Sequence, residues 1–160
     1  MLTRPYSPSD GPRILELTLS VFGPFYEDSF RPLVGEVVFT IQHGNWREDY
    51  EKTVPGLHNP ANGRHVDVAE DDGRIAGYVA WRVDPERGHG AIEILAVDPV
   101  NRRAGLGRGL CEHALGRMKA LGARMVEIGT GGDPFHAPAR ALYESLGCIQ
   151  LPVAVYFKEL

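Results

Sequence analysis

Arg102, Gly105 and Gly107 stand in a basic, glycine-punctuated loop that follows an apolar run, Ala91–Val97, and an Asp98-Pro99 turn. Helical periodicity begins near Leu106. A strand, a tight loop and a helix start in that order leave backbone N–H groups that the first helical turn cannot pair. The helix dipole adds positive potential at the same point, so the segment is suited to a phosphate or pyrophosphate. Two familiar phosphate loops fit poorly. A P-loop would end in Gly-Lys-Ser/Thr, whereas this one continues Gly107-Arg108-Gly109. A dinucleotide fingerprint would need a third glycine where Leu110 stands, and no ribose-binding acid stands out about 20 residues on.

The rest of the composition narrows the chemistry. A net charge of -4 argues against a chain whose main task is gripping nucleic acid, which normally shows a basic excess. It is compatible with a cationic substrate. The cysteines, Cys111 and Cys148, lie in apolar patterns and are too few for a disulfide framework or a zinc site, so a reducing, cytoplasmic setting is expected. His43, His58, His65, His89 and His113 make no metal-ligand spacing, and no metal is expected. The start of the chain has no secretory signal pattern, and no apolar run reaches membrane-spanning length.

The elements that must position the loop read as follows. Leu2–Tyr6 suits an edge strand, and Ser9 or Asp10 an N-cap for a helix that Gly23-Pro24 should stop. Residues 25–64 hold aromatics, Trp46, Tyr50 and several acids, without a decisive helix or strand period; this quarter is the candidate wall for an acceptor. His65–Glu70, Ile75–Val83 and Ala91–Val97 read as three successive antiparallel strands, the first two joined at Asp71-Asp72-Gly73. Leu106, Leu110, Ala114, Met118 and Leu121 form a helical stripe closed by Gly122. Met125–Ile128 should then be a parallel strand, and Ala139, Leu142, Tyr143 and Leu146 the apolar face of a helix closed by Gly147. Val153–Phe157 reads as a final strand. The expectation is a mixed α/β (α+β) fold, one domain over residues 1–160.

Arg102-x-x-Gly105-x-Gly107, with Leu95-Ala-Val-Asp-Pro99 before it, resembles the coenzyme A loop of the GCN5-related N-acetyltransferases (GNAT). Ala139-Arg-Ala-Leu-Tyr-Glu-Ser-Leu-Gly147 resembles the same family's Ala-x-x-Leu-Tyr-Glu-x-x-Gly-Phe helix, with Cys148 in place of the Phe. The resemblance covers residues 65–160 well and 1–64 only through element order. It implies a mostly antiparallel twisted sheet of about six to seven strands with a splayed parallel central pair and flanking helices.

It also implies a reaction and its residues. Acetyl-coenzyme A would be the co-substrate, and the acceptor a small-molecule or peptide amine. Neither nucleic acid nor a membrane is implied as partner, and monomer and homodimer are both left open. Backbone of Arg103, Ala104, Gly105, Leu106, Gly107 and Arg108, with charge from Arg102, Arg103 and Arg108, would cradle the pyrophosphate. Leu95, Ala96 and Val97 would meet the pantetheine arm and thioester through their main chain. Tyr143 would be the general acid that protonates the departing thiolate. His136 falls where the family commonly has an Asn that bonds the coenzyme arm. The general base would be Glu93, on the same face as Ala91 and Leu95 by alternation, or its rival Glu127, or His136 or a water. A non-catalytic acyl-coenzyme A binding or sensing module on this fold is the alternative, and a nucleotide-binding domain a distant third.

Overall fold

The computed structural model describes residues 1–102 and 104–160, so the part expected of Arg103 lies outside the described residues. Its sheet runs β1 (Leu2–Pro5), β2 (Arg64–Asp71), β3 (Arg74–Asp84), β4 (His89–Val97) and β5 (Met125–Ile128), in that spatial order. The first three neighbouring pairs are antiparallel, and β4 and β5 are parallel. β2 and β3 are joined through Asp72 and Gly73, whose φ of 48° and 75° match the left-handed pair that a two-residue hairpin turn demands.

Helix α1 (Gly11–Pro24) packs Ile14, Leu17 and Val21 on one face of the sheet, against Val66, Val68, Tyr78 and Ala80. Thr18, fully buried in α1, meets the Tyr78 hydroxyl and bonds back to the Ile14 carbonyl, so neither buried oxygen is left unpaired. The other face receives a long helix, Leu106–Ala120, through Leu106, Leu110, Cys111, Ala114 and Met118, set against Val79, Trp81 and Ile92. Leu121, expected to extend that stripe, is 43% exposed because the helix ends one residue earlier and Gly122 turns away at φ 104°.

Gly23-Pro24 does not stop the first helix. Pro24 keeps helical angles, and the chain continues through a π-helical stretch, Phe25–Phe30, into α2 (Arg31–Val34). The wider i→i+5 pattern absorbs the amide that proline lacks. Gly23 serves packing instead: a Cβ there would lie 3.0 Å from Cη2 of Trp46. α3 (Glu36–His43) and α4 (Trp46–Thr53) complete this all-helical quarter, around a cluster of Phe30, Phe39 and Trp46. In chain order the Leu106–Ala120 helix is α5, and α6 (Ala137–Ser145) follows β5.

Among the described residues five strands form the sheet, rather than six or seven. Val153–Phe157 is rich in strand-forming residues, but among the described residues it pairs with no neighbour, and a strand is stabilised only by its ladder. Phe157 turns instead onto Phe30, ring centroids 5.5 Å apart. Among the described residues, no helix is long and apolar enough to cross a membrane.

Candidate active site

The site begins where the parallel pair opens. β4 pairs with β5 only from His89–Met125 to Ile92–Ile128, whereas it stays paired with β3 through Val97. The Asp98 N–H donates to the Ala76 carbonyl at 2.8 Å, which makes Ala76–Asp98 a hydrogen-bonded pair of the antiparallel ladder. Alternation then turns the backbone groups of Ala96 toward Tyr78 on β3. Those of Leu95 and Val97 point the other way, into the gap that β5 has left. Two of the three residues expected to meet the pantetheine thus present main chain to an open edge. Ala96 does not; it is fully buried and committed to β3.

A bulge sets the side chains. Ala80 opposes Ile94 but Trp81 opposes Ile92, so Glu93 is the extra residue on β4. Ile94 and Ala96 therefore pack on the α1 face, while Ile92, Leu95 and Val97 pack on the α5 face. Glu93 sits between Arg64 and Arg82, at 3.2 Å and 3.6 Å. It does not share a face with Leu95, because alternation fails across a bulge. Its carboxylate is drawn toward β2 and β3, away from the gap. Glu127, its rival, is 69% exposed and bonds His89 within the paired part of β5.

The glycine loop delivers the start of α5 to the same place. Gly105 takes a φ of 76° as the N-cap, a left-handed conformation that a Cβ would strain. No side chain caps this end, and the first amide to find an intrahelical acceptor is Gly109, which bonds the Gly105 carbonyl at 3.0 Å. Among the described residues the N–H groups of Leu106, Gly107 and Arg108 have no partner, a donor set that suits a pyrophosphate. Ala104 and Arg102 are exposed beside it, and Leu106, 3% exposed, offers only its main chain. The Arg108 guanidinium is already engaged by Glu112 at 2.9 Å and the Ser145 hydroxyl at 3.1 Å, so its contribution is its amide.

Gly107 is where three elements meet. A Cβ there would lie 3.6 Å from Leu142, 3.7 Å from Val97 and 3.9 Å from Leu95. α6 is thereby held across the helix start and the open strand edge. Next to Leu142, the half-buried Tyr143 packs on the α5 core. Burial, with Cys111 and Cys148 nearby, pushes its phenol up to about 12. Among the described residues its hydroxyl has no hydrogen-bond partner, and it is not sealed from solvent. A neutral phenol at this position can donate to a developing thiolate.

His136, the residue before α6, is held from several directions. Its Nδ1 lies 2.6 Å from Oδ1 of Asp133. The other Asp133 oxygen accepts from the Phe135 N–H at 3.1 Å. Burial opposes ionisation of Asp133, but the His136 contact and the nearby amides outweigh it and hold the carboxyl below its ordinary range. Arg140 braces the loop by donating to the carbonyls of Gly131 at 2.6 Å and Asp133 at 2.7 Å. The ring of Phe25, from the π-helical stretch, stands edge-on at 4.8 Å from the imidazole. Sequence reasoning marked His136 but missed its holder. The i, i+3 spacing of Asp133 and His136 across Pro134 is the signal available for it.

Trp46 and Tyr50 pack inside the helical quarter. Trp46 is 3% exposed, stacked on Tyr26, with its indole N–H donated to Glu27 at 3.0 Å. The Tyr50 hydroxyl meets that of Tyr26 at 3.0 Å, and burial pushes its phenol up. Among the described residues, no group of three or more His, Cys, Asp or Glu side chains is placed to hold a metal ion.

An open parallel pair, a helix start with no side-chain cap and the helix bearing Tyr143 meet at this end of the sheet. Residues 24–148 match the Acetyltransferase (GNAT) family, and the chain belongs to that family. It is 40% identical over 90 residues to a mycothiol acetyltransferase of Beutenbergia cavernae, covering 56% of this chain and 29% of that protein. The chain thus spans under a third of the length of that curated relative. Among solved structures, the BH1408 protein of Bacillus halodurans superposes with a TM-score of 0.75 at 19% identity, over 100% of both chains. An aminoglycoside 6'-N-acetyltransferase of Acinetobacter haemolyticus gives 0.67 at 18% identity, over 100% of this chain and 99% of its own. At such identities these two likenesses show the fold.

Proposed function

We propose that this chain, acting as one domain over residues 1–160, transfers an acetyl group from acetyl-coenzyme A directly to an acceptor amine in a ternary complex. The observation that carries this reading is the convergence at Gly107 of the open β4 edge, the unpaired amides of α5 and the helix bearing Tyr143. Amides of residues 104–108, with the charge of Arg102 and Arg103, hold the pyrophosphate. Main chain of Leu95 and Val97 aligns the pantetheine and thioester along the gap. Fixing thioester and amine together turns a bimolecular encounter into an intramolecular one, which by itself is worth several kcal/mol of barrier. The attacking nitrogen forms a bond to the carbonyl carbon, the carbon–sulfur bond breaks, and Tyr143 gives its proton to the leaving sulfur. The buried Cys111 thiol, pushed up to about 12 by burial, stays protonated and takes no part. Free cysteines accord with a cytoplasmic setting.

The test is a panel of amines incubated with protein and acetyl-coenzyme A, read as release of free thiol, with coenzyme A binding measured by calorimetry. Thiol release that depends on the amine is expected. Binding without release across the panel would overturn the transfer and leave an acyl-coenzyme A binding module.

A further inference from the structure

Asp133 and His136 form a pair of titratable side chains lodged against the backbone of Gly131. A Cβ on Gly131 would collide with Oδ1 of Asp133 and come within 2.6 Å of Nδ1 of His136, so only glycine lets the two side chains sit there. With Nδ1 donating to the carboxylate, Nε2 of the neutral ring is left as an acceptor. Among the described residues Nε2 has no hydrogen-bond partner and is not sealed from solvent.

The placement matters as much as the pairing. α6 packs on the α5 face of the sheet through Leu142, Tyr143 and Leu146, while Phe25 continues the helix that packs on the opposite face. His136 and Phe25 meet from opposite faces of the sheet, and β4 and β5 stop pairing beyond Ile92 and Ile128. That is the opening into which Leu95 and Val97 present their main chain. Phe25 belongs to the helical quarter expected from the sequence to line the acceptor side. Tyr143 follows seven residues later on the same side of α6, about 10 Å along the axis, and helical side chains lean back toward the N-terminus. The remaining carboxylates do not compete, since Glu93 is held by two arginines and Glu127 by His89.

From this geometry we infer that His136, oriented by Asp133, is the general base that takes the proton from the acceptor amine, an inference that rests on the acetyl transfer proposed above. The amine proton passes to Nε2 as the nitrogen–carbon bond forms. The carbon–sulfur bond breaks with its electron pair on sulfur, which takes the Tyr143 proton. Proton return from imidazolium to phenolate through water restores both groups, and the net products are amide and thiol. The charged groups facing the pair are the Asp133 carboxylate and the Arg140 guanidinium; Phe25 and Phe135 present carbon.

The experiment compares wild type with His136→Ala, His136→Gln and Asp133→Asn on the fastest amine of the panel. Rates are followed against pH with and without added imidazole, alongside coenzyme A calorimetry and thermal melts. His136→Ala should lower kcat/KM for the amine by ~10²-fold or more, the usual span of acid–base catalysis. The acid limb of the pH profile should vanish, imidazole should restore part of the rate, and coenzyme A affinity should hold. Asp133→Asn should lower the rate less. A raised KM for acetyl-coenzyme A with kcat kept would make His136 a coenzyme contact and overturn the inference, as would an unchanged rate or an unchanged acid limb. If His136→Ala does not fold, His136→Gln carries the same comparison. A wild type inert toward every amine removes the transfer reading itself, an outcome distinct from a working enzyme indifferent to His136.

Discussion

Arg4 grips Asp10 through two parallel hydrogen bonds of 2.8 Å and 3.0 Å, and this contact ties the edge strand β1 to the start of α1. Asp10 also accepts the Ser7 N–H at 2.7 Å, and Arg4 reaches across to Glu70 on β2. The Arg4 hydrogen bonds hold the Asp10 carboxyl below its ordinary value against the opposing effect of burial. A depressed folded-state pKa means that the unfolded chain binds the proton more readily. The stabilisation is therefore complete above the ordinary aspartate value, about 4, and is lost as pH falls through the lower folded value. Urea unfolding of Asp10→Asn should show a loss of about 1–3 kcal/mol at pH 7. The variant should also lose less stability than wild type between pH 5 and pH 2 (~1 kcal/mol or more of difference). Equal acid sensitivity in the two proteins would separate Asp10 from the effect.

Gly105 and Gly107 are expected to respond in opposite ways. Gly105 sits at φ 76° with open space around it, so Gly105→Ala meets no clash but forces a side chain into the left-handed region, at about 1–2 kcal/mol. Gly107 is helical, and its added Cβ would make only ordinary contacts of 3.6 Å to 3.9 Å. Gly107→Ala should raise stability by up to ~1 kcal/mol through helix propensity. Yet its methyl would stand among Leu95, Val97 and Leu142, where the proposed site brings main chain close to the coenzyme. Coenzyme A calorimetry should find weaker binding in both variants. Unchanged affinity in Gly107→Ala would move the phosphate away from this turn.

The order from β2 to α6 was legible because each element there carries a local signal. Asp72-Gly73 needs positive φ, Gly122 and Gly147 close their helices, and strand alternation holds from Arg64 to Ala69 on β2 and from Tyr78 to Val83 on β3. Alternation misled at Glu93, because a bulge depends on the partner strand and leaves no mark in one strand's own sequence. Residue preference misled at Val153–Phe157, where strand-forming residues find no ladder among the described residues. Gly23-Pro24 reads locally as a stop, whereas Trp46, twenty-odd residues away, decides what Gly23 does. The Asp133–His136 pair was missed for a similar reason: Asp133 reads as a cap, and it is one, as well as the histidine's holder.

Trp46 gives that long-range dependence a measurable form. Its indole lies against Gly23, stacks on Tyr26 at 5.2 Å and bonds Glu27. Trp46→Ala should cost about 3–5 kcal/mol in urea unfolding, the range for removing a large buried aromatic. Gly23→Ala should cost less, because the indole or α1 has only to give by a few tenths of an ångström. Both changes lie in the helical quarter and away from the Gly107 junction. Coenzyme A affinity in the folded fraction should therefore stay level while the KM for the acceptor rises. A parallel loss of coenzyme A binding would show that this quarter supports the donor side too.

Tyr143→Phe isolates one oxygen. The ring packs on the α5 core, so its removal of a hydroxyl should leave stability within about 0.5–1 kcal/mol. If the phenol delivers the proton to the leaving sulfur, kcat should fall by ~10²-fold with coenzyme A affinity nearly intact. Burial, with Cys111 and Cys148 nearby, puts the wild-type phenol at about 12, so it keeps its proton throughout the neutral range. A raised pKa places the loss of the acid on the alkaline side, as pH approaches about 12. Any fall in wild-type rate below pH 9 must then come from another group, and it should persist in Tyr143→Phe. Thiol release by Tyr143→Phe at the wild-type rate would take the tyrosine out of the reaction and leave it as packing against α5.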